Sequence, residues 1–292
     1  NGNNLTAKSE CPTCQFEYPE DAISYAVSHN IENPSIHVSA DTFYWGAGGK
    51  SYTSGIGVFN KNGGSLTLKQ DKAGVFHINK NGGSFRFLSN LNAATNYYFD
   101  LGTIVDDGLA HNLHSFLLSN NNPTANDLKG SFTLKARKLL YKYTDITTPN
   151  VGFRGIIFEG RCKNLSIDVD EIDSNVPGFV IDGSDSSNVS IAVNNYRQFN
   201  ARMGIGYNSI LYTRGARTNS TINFHFKNIL DFVNYGTPFL LDFNVYPTIG
   251  EAQLTGQNYS IKGYIDNYTR FNQTNAYASR KGLGTFDDFA TD

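Results

Sequence analysis

A short strand phrase recurs along this chain. It reads Gly-Ser-Leu-Thr-Leu at 64–68, Gly-Ser-Phe-Arg-Phe at 83–87 and Gly-Ser-Phe-Thr-Leu at 130–134. It returns as Asn-Leu-Ser-Ile-Asp at 164–168, Asn-Val-Ser-Ile-Ala at 188–192 and Asn-Tyr-Ser-Ile-Lys at 258–262, with a looser copy at Asn219-Ser220-Thr221-Ile222-Asn223-Phe224. Each copy joins a turn-forming Gly or Asn to apolar residues at every second position, the pattern of a strand with one buried face. Such a unit cannot bury that face alone. Its repetition therefore predicts a solenoid of stacked β coils.

Leu66 and Leu68, Phe85 and Phe87, and Phe132 and Leu134 are expected to pile up as rungs. Leu165, Ile167 and Val169 should lie against Val189, Ile191 and Val193, at a strand spacing of about 4.8 Å. The alternation leaves Ser166, Asp168, Asp170, Ser190, Ala192 and Asn194 facing solvent. Asn164, Asn188, Asn219 and Asn258 follow one another at intervals of 24, 31 and 39 residues, and the longer intervals imply loops on the outside. The segment 100–128 contains Asp106-Asp107-Gly108 and Asn120-Asn121-Asn122-Pro123 and reads as a protruding loop. A two-layer sandwich of short strands is the rival, disfavoured by the near-absence of two-residue hairpin turns.

Near the N-terminus, Pro19, Glu20 and Asp21 suit the start of a helix, where freed amides favour negative charge. Ala22, Ile23, Ala26 and Val27 supply one apolar face. The helix should stop near His29-Asn30, and Pro34 prevents its resumption. Strands follow at 35–39 and 42–45, then a Gly-rich turn at 46–49. This Asp-Ala-Ile-x-x-Ala helix, with its strand and Gly turn, resembles the N-terminal cap of pectin-lyase-like parallel β-helices. Such folds occur in secreted polysaccharide lyases, glycoside hydrolases and bacteriophage tailspikes. The resemblance implies an all-β, right-handed parallel β-helix with a short N-terminal capping helix. Its parts would be a lead-in and cap at 1–49, a body at 50–265 and a C-terminal tail or cap at 266–292. Tyr268, Phe271, Tyr277, Phe286 and Phe289 in that tail are expected to cover the open apolar end or to pack on neighbouring chains.

A formal net charge of −2 and a charged fraction of 17% argue against nucleic-acid binding, which wants a basic surface. A surface rich in Asn, Ser, Thr and Tyr fits an extracellular or virion location. No window resembles a membrane-spanning helix. Glycosylation sequons stand at Asn4, Asn164, Asn188, Asn219, Asn258, Asn267 and Asn272, three of them the strand phrase itself. Cys11 and Cys14, in Cys-Pro-Thr-Cys, supply half the ligands of a structural zinc with no second pair downstream. They read as two thiols or a local disulfide, with Cys162 apart.

Asp168 and Asp170 are the best carboxylate pair. At i and i+2 of a strand they share a face, in range for hydrolysing a glycosidic bond or for holding calcium. The plainer reading is two solvated acids. Asp182 and Asp185 read as turn formers. Tyr196, Arg197, Arg202, Tyr207, Tyr212, Arg214 and Arg217 gather aromatic and basic groups in two adjacent coils. Tyr faces stack on sugars and Arg forks pair with uronate or sialate, although the same residues could cover the flank or a subunit contact. His111 and His114, after Asp106 and Asp107, match a metal cluster by type but read better as a solvated loop; no metal site is assigned. No nucleophile elbow, phosphate loop or dinucleotide fingerprint occurs, which excludes a nucleotide enzyme. The expected function is a tailspike- or fibre-like protein that binds surface glycan, as a homotrimer or with virion proteins. The alternatives are a polysaccharide lyase or glycoside hydrolase, with calcium as a conceivable cofactor, and a purely structural subunit of an assembly.

Overall fold

A computed structural model describes residues 4–7, 15–16, 18–39, 41–44, 56–59, 61, 63–78, 84–87, 94–106, 116–118, 128–141, 157–160, 162–174, 178–182, 186–199, 210–214, 219–232, 239–243, 259–271 and 282–285. The first strand, β1 (Asn4–Ala7), precedes helix α1 (Pro19–Ser28). Strands β2 (Ser35–Val38), β3 (Thr42–Tyr44) and β4 (Ile56–Phe59) follow, then β5 (Ser65–Gln70), β6 (Val75–Ile78) and β7 (Ser84–Phe87). Thereafter each coil has one long and one short strand. These are β8 (Asn96–Asp106) and β9 (Phe116–Leu118), β10 (Leu128–Tyr141) and β11 (Phe158–Gly160), and β12 (Cys162–Ser174) and β13 (Phe179–Asp182). The last three coils carry β14 (Asn188–Gln198) and β15 (Leu211–Arg214), β16 (Ser220–Asp231) and β17 (Phe239–Phe243), and β18 (Tyr259–Arg270) and β19 (Gly282–Thr285).

Every strand pair is parallel. One sheet runs β1-β2-β5-β8-β10-β12-β14-β16-β18, with β3 and β6 beside it, and the other runs β4-β7-β9-β11-β13-β15-β17-β19. The chain thus alternates between two sheets as it climbs, which is a parallel β-helix. Leu165, Ile167 and Val169 stand in register with Val189, Ile191 and Val193, as the phrase predicted. All six are buried. The core lies between the sheets, where Phe132 of the long sheet meets Phe158 of the short one at 6.0 Å between ring centroids.

The long strands bend. Leu165, Ile167 and Val169 are buried and Ser166, Asp168 and Asp170 exposed, but Glu171 is exposed as well before Ile172 is buried. Two consecutive outward residues reset the alternation, and register pairing lapses at Asp170. Asn194-Asn195 and Lys227-Asn228 make the same corner on β14 and β16. There Asn228 Nδ2 donates to Asn195 Oδ1, and Asn267 Nδ2 donates to Asn228 Oδ1, each at 2.9 Å. This amide ladder replaces the backbone pairing that the bend weakens. After the corner, Phe199, Phe232 and Phe271 stack with their planes nearly parallel, centroids at 5.2 Å and then 4.3 Å.

Helix α1 begins with Pro in its first turn and buries Pro19, Glu20, Ala22, Ile23 and Ala26. It ends at Ser28, and just beyond it Asn30, with a φ of 51°, takes the left-handed conformation common after a helix. It packs on β1 and β2, so it covers the first coil as a cap should. Val27, expected in the buried stripe, is instead 36% exposed.

Residues 4–7, within the expected lead-in, pair with β2 as the first rung. Three expectations need correction. The copy at 83–87 is β7, which belongs to the short sheet. The copies at 219 and 258 both stand two residues out of step with the copy at 188, because Thr221 and Ser260, not Asn219 and Asn258, occupy the column of Asn188. The segment 100–128 is no single loop, since β8 carries Leu101 and Ile104 into the core and both are fully buried. Its polar letters hid this, because Asp106 itself is buried at the strand end.

The Gly in the Gly-Ser phrase has a local cause. A Cβ on Gly130 would overlap the Thr95 carbonyl oxygen of the coil before, and one on Gly64 the Glu32 carbonyl. Gly130→Ala is therefore expected to cost about 1–3 kcal/mol in urea unfolding, through backbone displacement. Asn228→Ala, which removes both rungs of the amide ladder, should cost about 1–2 kcal/mol. Asn223→Ala, on the exposed face of the same strand, should stay within about 0.5 kcal/mol.

Candidate functional site

The outer face of the long sheet carries a shallow trough of about 260 Å³ over β10, β12, β14 and β16. Two columns of short polar side chains line it. In the first, Ser131, Asn164, Asn188 and Thr221 stand in register. These groups are used internally: Thr221 Oγ1 donates to Asn188 Oδ1 at 2.8 Å, and Ser131 Oγ to Asn96 Oδ1 at 2.9 Å. Asn188 Nδ2 reaches Asn164 Oδ1 at 3.4 Å. Two of the sequon asparagines therefore hold the sheet together.

The second column, Thr133, Ser166, Ser190 and Asn223, is different. Among the described residues none of these side chains has a hydrogen-bond partner. Their hydroxyls and amide face outward, placed by the backbone and left for water or a ligand.

The next outward column runs Lys135, Asp168, Ala192, His225 and Tyr264. Asp168 is exposed at the trough edge and has no hydrogen-bond or ion-pair partner among the described residues. Asp170 is at the corner, where Asn194 Nδ2 donates to its Oδ1 at 3.1 Å. The bend therefore separates the two acids by environment: one flanks the trough unengaged, and the other is tied into the corner. His225 projects outward between the buried Phe224 and Phe226, as the alternation implied. Its Nε2 lies 3.0 Å and 3.1 Å from the two Asp266 carboxylate oxygens.

The described members of the basic and aromatic set stand on different parts of the coil. Tyr196 is fully buried in the core, edge-on to Phe226 at 6.0 Å, so it cannot meet a sugar. Arg197 is past the corner, 3.8 Å from Asp173, which is bound at 2.8 Å by Lys138. That hydrogen bond, with a second that Lys138 donates to Glu171, raises the Lys138 ammonium pKa against the opposing effect of burial. Tyr212 and Arg214 are on β15 of the short sheet, across the core from the trough. Arg202, Tyr207 and Arg217 lie outside the described residues, as do Cys11, Cys14, His111 and His114. The physical reason for the scatter is the coil itself. It sends adjacent residues to opposite faces, and the cross-strand neighbours of any residue lie a whole coil away.

Sequence reasoning missed the trough as a site, although its signal was present. Ser166 and Ser190, at the centre of the phrase, were already assigned to solvent. The His225–Asp266 pair, 41 residues apart, had no local signal. Among the described residues no three His, Cys, Asp or Glu side chains gather as a metal site, and no helix is long and apolar enough to cross a membrane.

Tyr196→Ala should act as a core truncation and cost about 3–5 kcal/mol, read as a large fall in Tm. Arg197→Ala, which removes a pair whose Arg side chain is 54% exposed, should change stability by less than about 1 kcal/mol. No protein-family model, curated protein or solved structure matches this chain.

Proposed function

We propose that this chain is a tailspike- or fibre-like β-helix of the pectin-lyase-like kind, displayed on a virion or cell surface, which binds a surface glycan along its long sheet. The column Thr133, Ser166, Ser190 and Asn223 carries this reading. A polysaccharide offers a row of hydroxyl donors and acceptors, and short polar groups repeated at the strand spacing can meet them directly or through water. The strand backbone fixes those groups in advance, so little ordering opposes binding. Shallow polar troughs bind weakly one at a time. A homotrimer presenting three of them would gain avidity, which is why self-association belongs to the proposal.

A second reading, a lyase or glycoside hydrolase acting on the bound glycan, is favoured by one observation: the unengaged Asp168 carboxylate at the trough edge. Release of reducing ends from polysaccharide, lost in Asp168→Asn, would support that reading over binding alone.

Ser190→Arg plugs the trough from its exposed side without touching the core. It should lower glycan-array binding at least about tenfold with little change in Tm. Unchanged binding by that variant would remove the trough from the function.

A further inference from the structure

Tyr264 is 73% exposed, the largest exposure among the big apolar side chains described. It projects outward from β18, at the end of the strand order of the long sheet. One side of its ring meets His225 edge-on, with centroids 6.4 Å apart and planes at 80°. His225 is itself anchored by Asp266, which stands two residues beyond Tyr264 on the same strand. The ring is thus braced on one side. No further strand follows β18 in this sheet among the described residues, so no cross-strand neighbour covers the other side.

We propose that Tyr264, braced by the His225–Asp266 pair, is an aromatic subsite that stacks a neutral pyranose at one end of the trough. The proposal rests on the glycan-binding reading and adds to it a position and a sugar class. An exposed Tyr face supplies apolar area for the C–H face of a pyranose at low entropic cost, because only two torsions are ordered. The Asp266 carboxylate, two residues along the same strand, accepts hydrogen bonds from sugar hydroxyls and repels acidic sugars. Lys227 and Lys262 stand on neighbouring outward positions of β16 and β18, so acidic polymers belong in the test. At the opposite end of the trough Tyr98 also faces outward, half-buried, in register with Thr67 and Thr133. From β8 to β18 is five strand spacings, about 24 Å, so an extended oligosaccharide on the trough would have an aromatic ring at each end.

The full chain is run through native gels cast with dextran, laminarin, galactan or polygalacturonate. The wild type should be retarded by at least one neutral polymer and not by polygalacturonate. Tyr264→Ala should weaken that retardation about tenfold at unchanged Tm, while Tyr264→Phe and Tyr264→Trp retain it. Asp266→Asn should weaken it as well. Should Tyr264→Ala bind like wild type while Ser190→Arg fails, the subsite is wrong and the trough stands. Preference for polygalacturonate would overturn the neutral class, and no retardation by any polymer would remove both the subsite and the trough reading.

Discussion

The molecule depends on like side chains stacking from coil to coil. Leu66, Tyr97, Phe132, Leu165, Val189 and Ile222 form one such column, each residue buried between its neighbours in the coils above and below. No coil has a closed core of its own. Burial is shared along the axis, and both ends of the stack must be managed. At the N-terminal end the apolar face of α1 covers the first coil. Toward the other end Gly263 stands in an inward column. A Cβ there would overlap the Phe224 ring, so the glycine lets that ring occupy the place of a missing side chain. Ile261, Ile265 and Tyr268 pack against the core from β18 while remaining partly exposed.

The same alternation that builds the core builds the outer face. Each inward apolar residue implies an outward neighbour, and register aligns those neighbours into columns as regular as the core beneath them. What distinguishes one outward column from the next is whether its polar groups satisfy one another. The columns of Asn188 and of Asn228 spend their amides on internal ladders. The column of Ser190 does not, and among the described residues its side chains have no hydrogen-bond partner. The corner at Asp170 then divides the face. It draws Asp170 into an amide contact and puts Arg197 on a different wall from Asp168.

Much of the fold could be read from the chain, because strand alternation is local. Ile167 and Ile191 were expected in contact and are register partners. The helix at 19–28 was recognisable from its Pro, acids and apolar stripe. β8 was not, since Asp100, Gly102 and Asp106 interrupt its apolar letters. Burial of those positions comes from strands on either side, which no local window contains. The site was legible only in part. Outward serines could be named, but the cluster of Tyr and Arg residues near 196–217 drew attention to residues that the coil then distributed between core, corner and opposite sheet.

By itself the sequence determined the period-two burial of each strand, the capping helix and the solenoid class, all set by interactions within a dozen residues. Only the tertiary structure decided which coil stands against which, including the two-residue slip between the copies at 188 and 219, the bend at Asp170 and the meeting of His225 with Asp266. Register is chosen by how whole coils fit together, with loops of differing length between them. A phrase of five residues has no means of counting those loops.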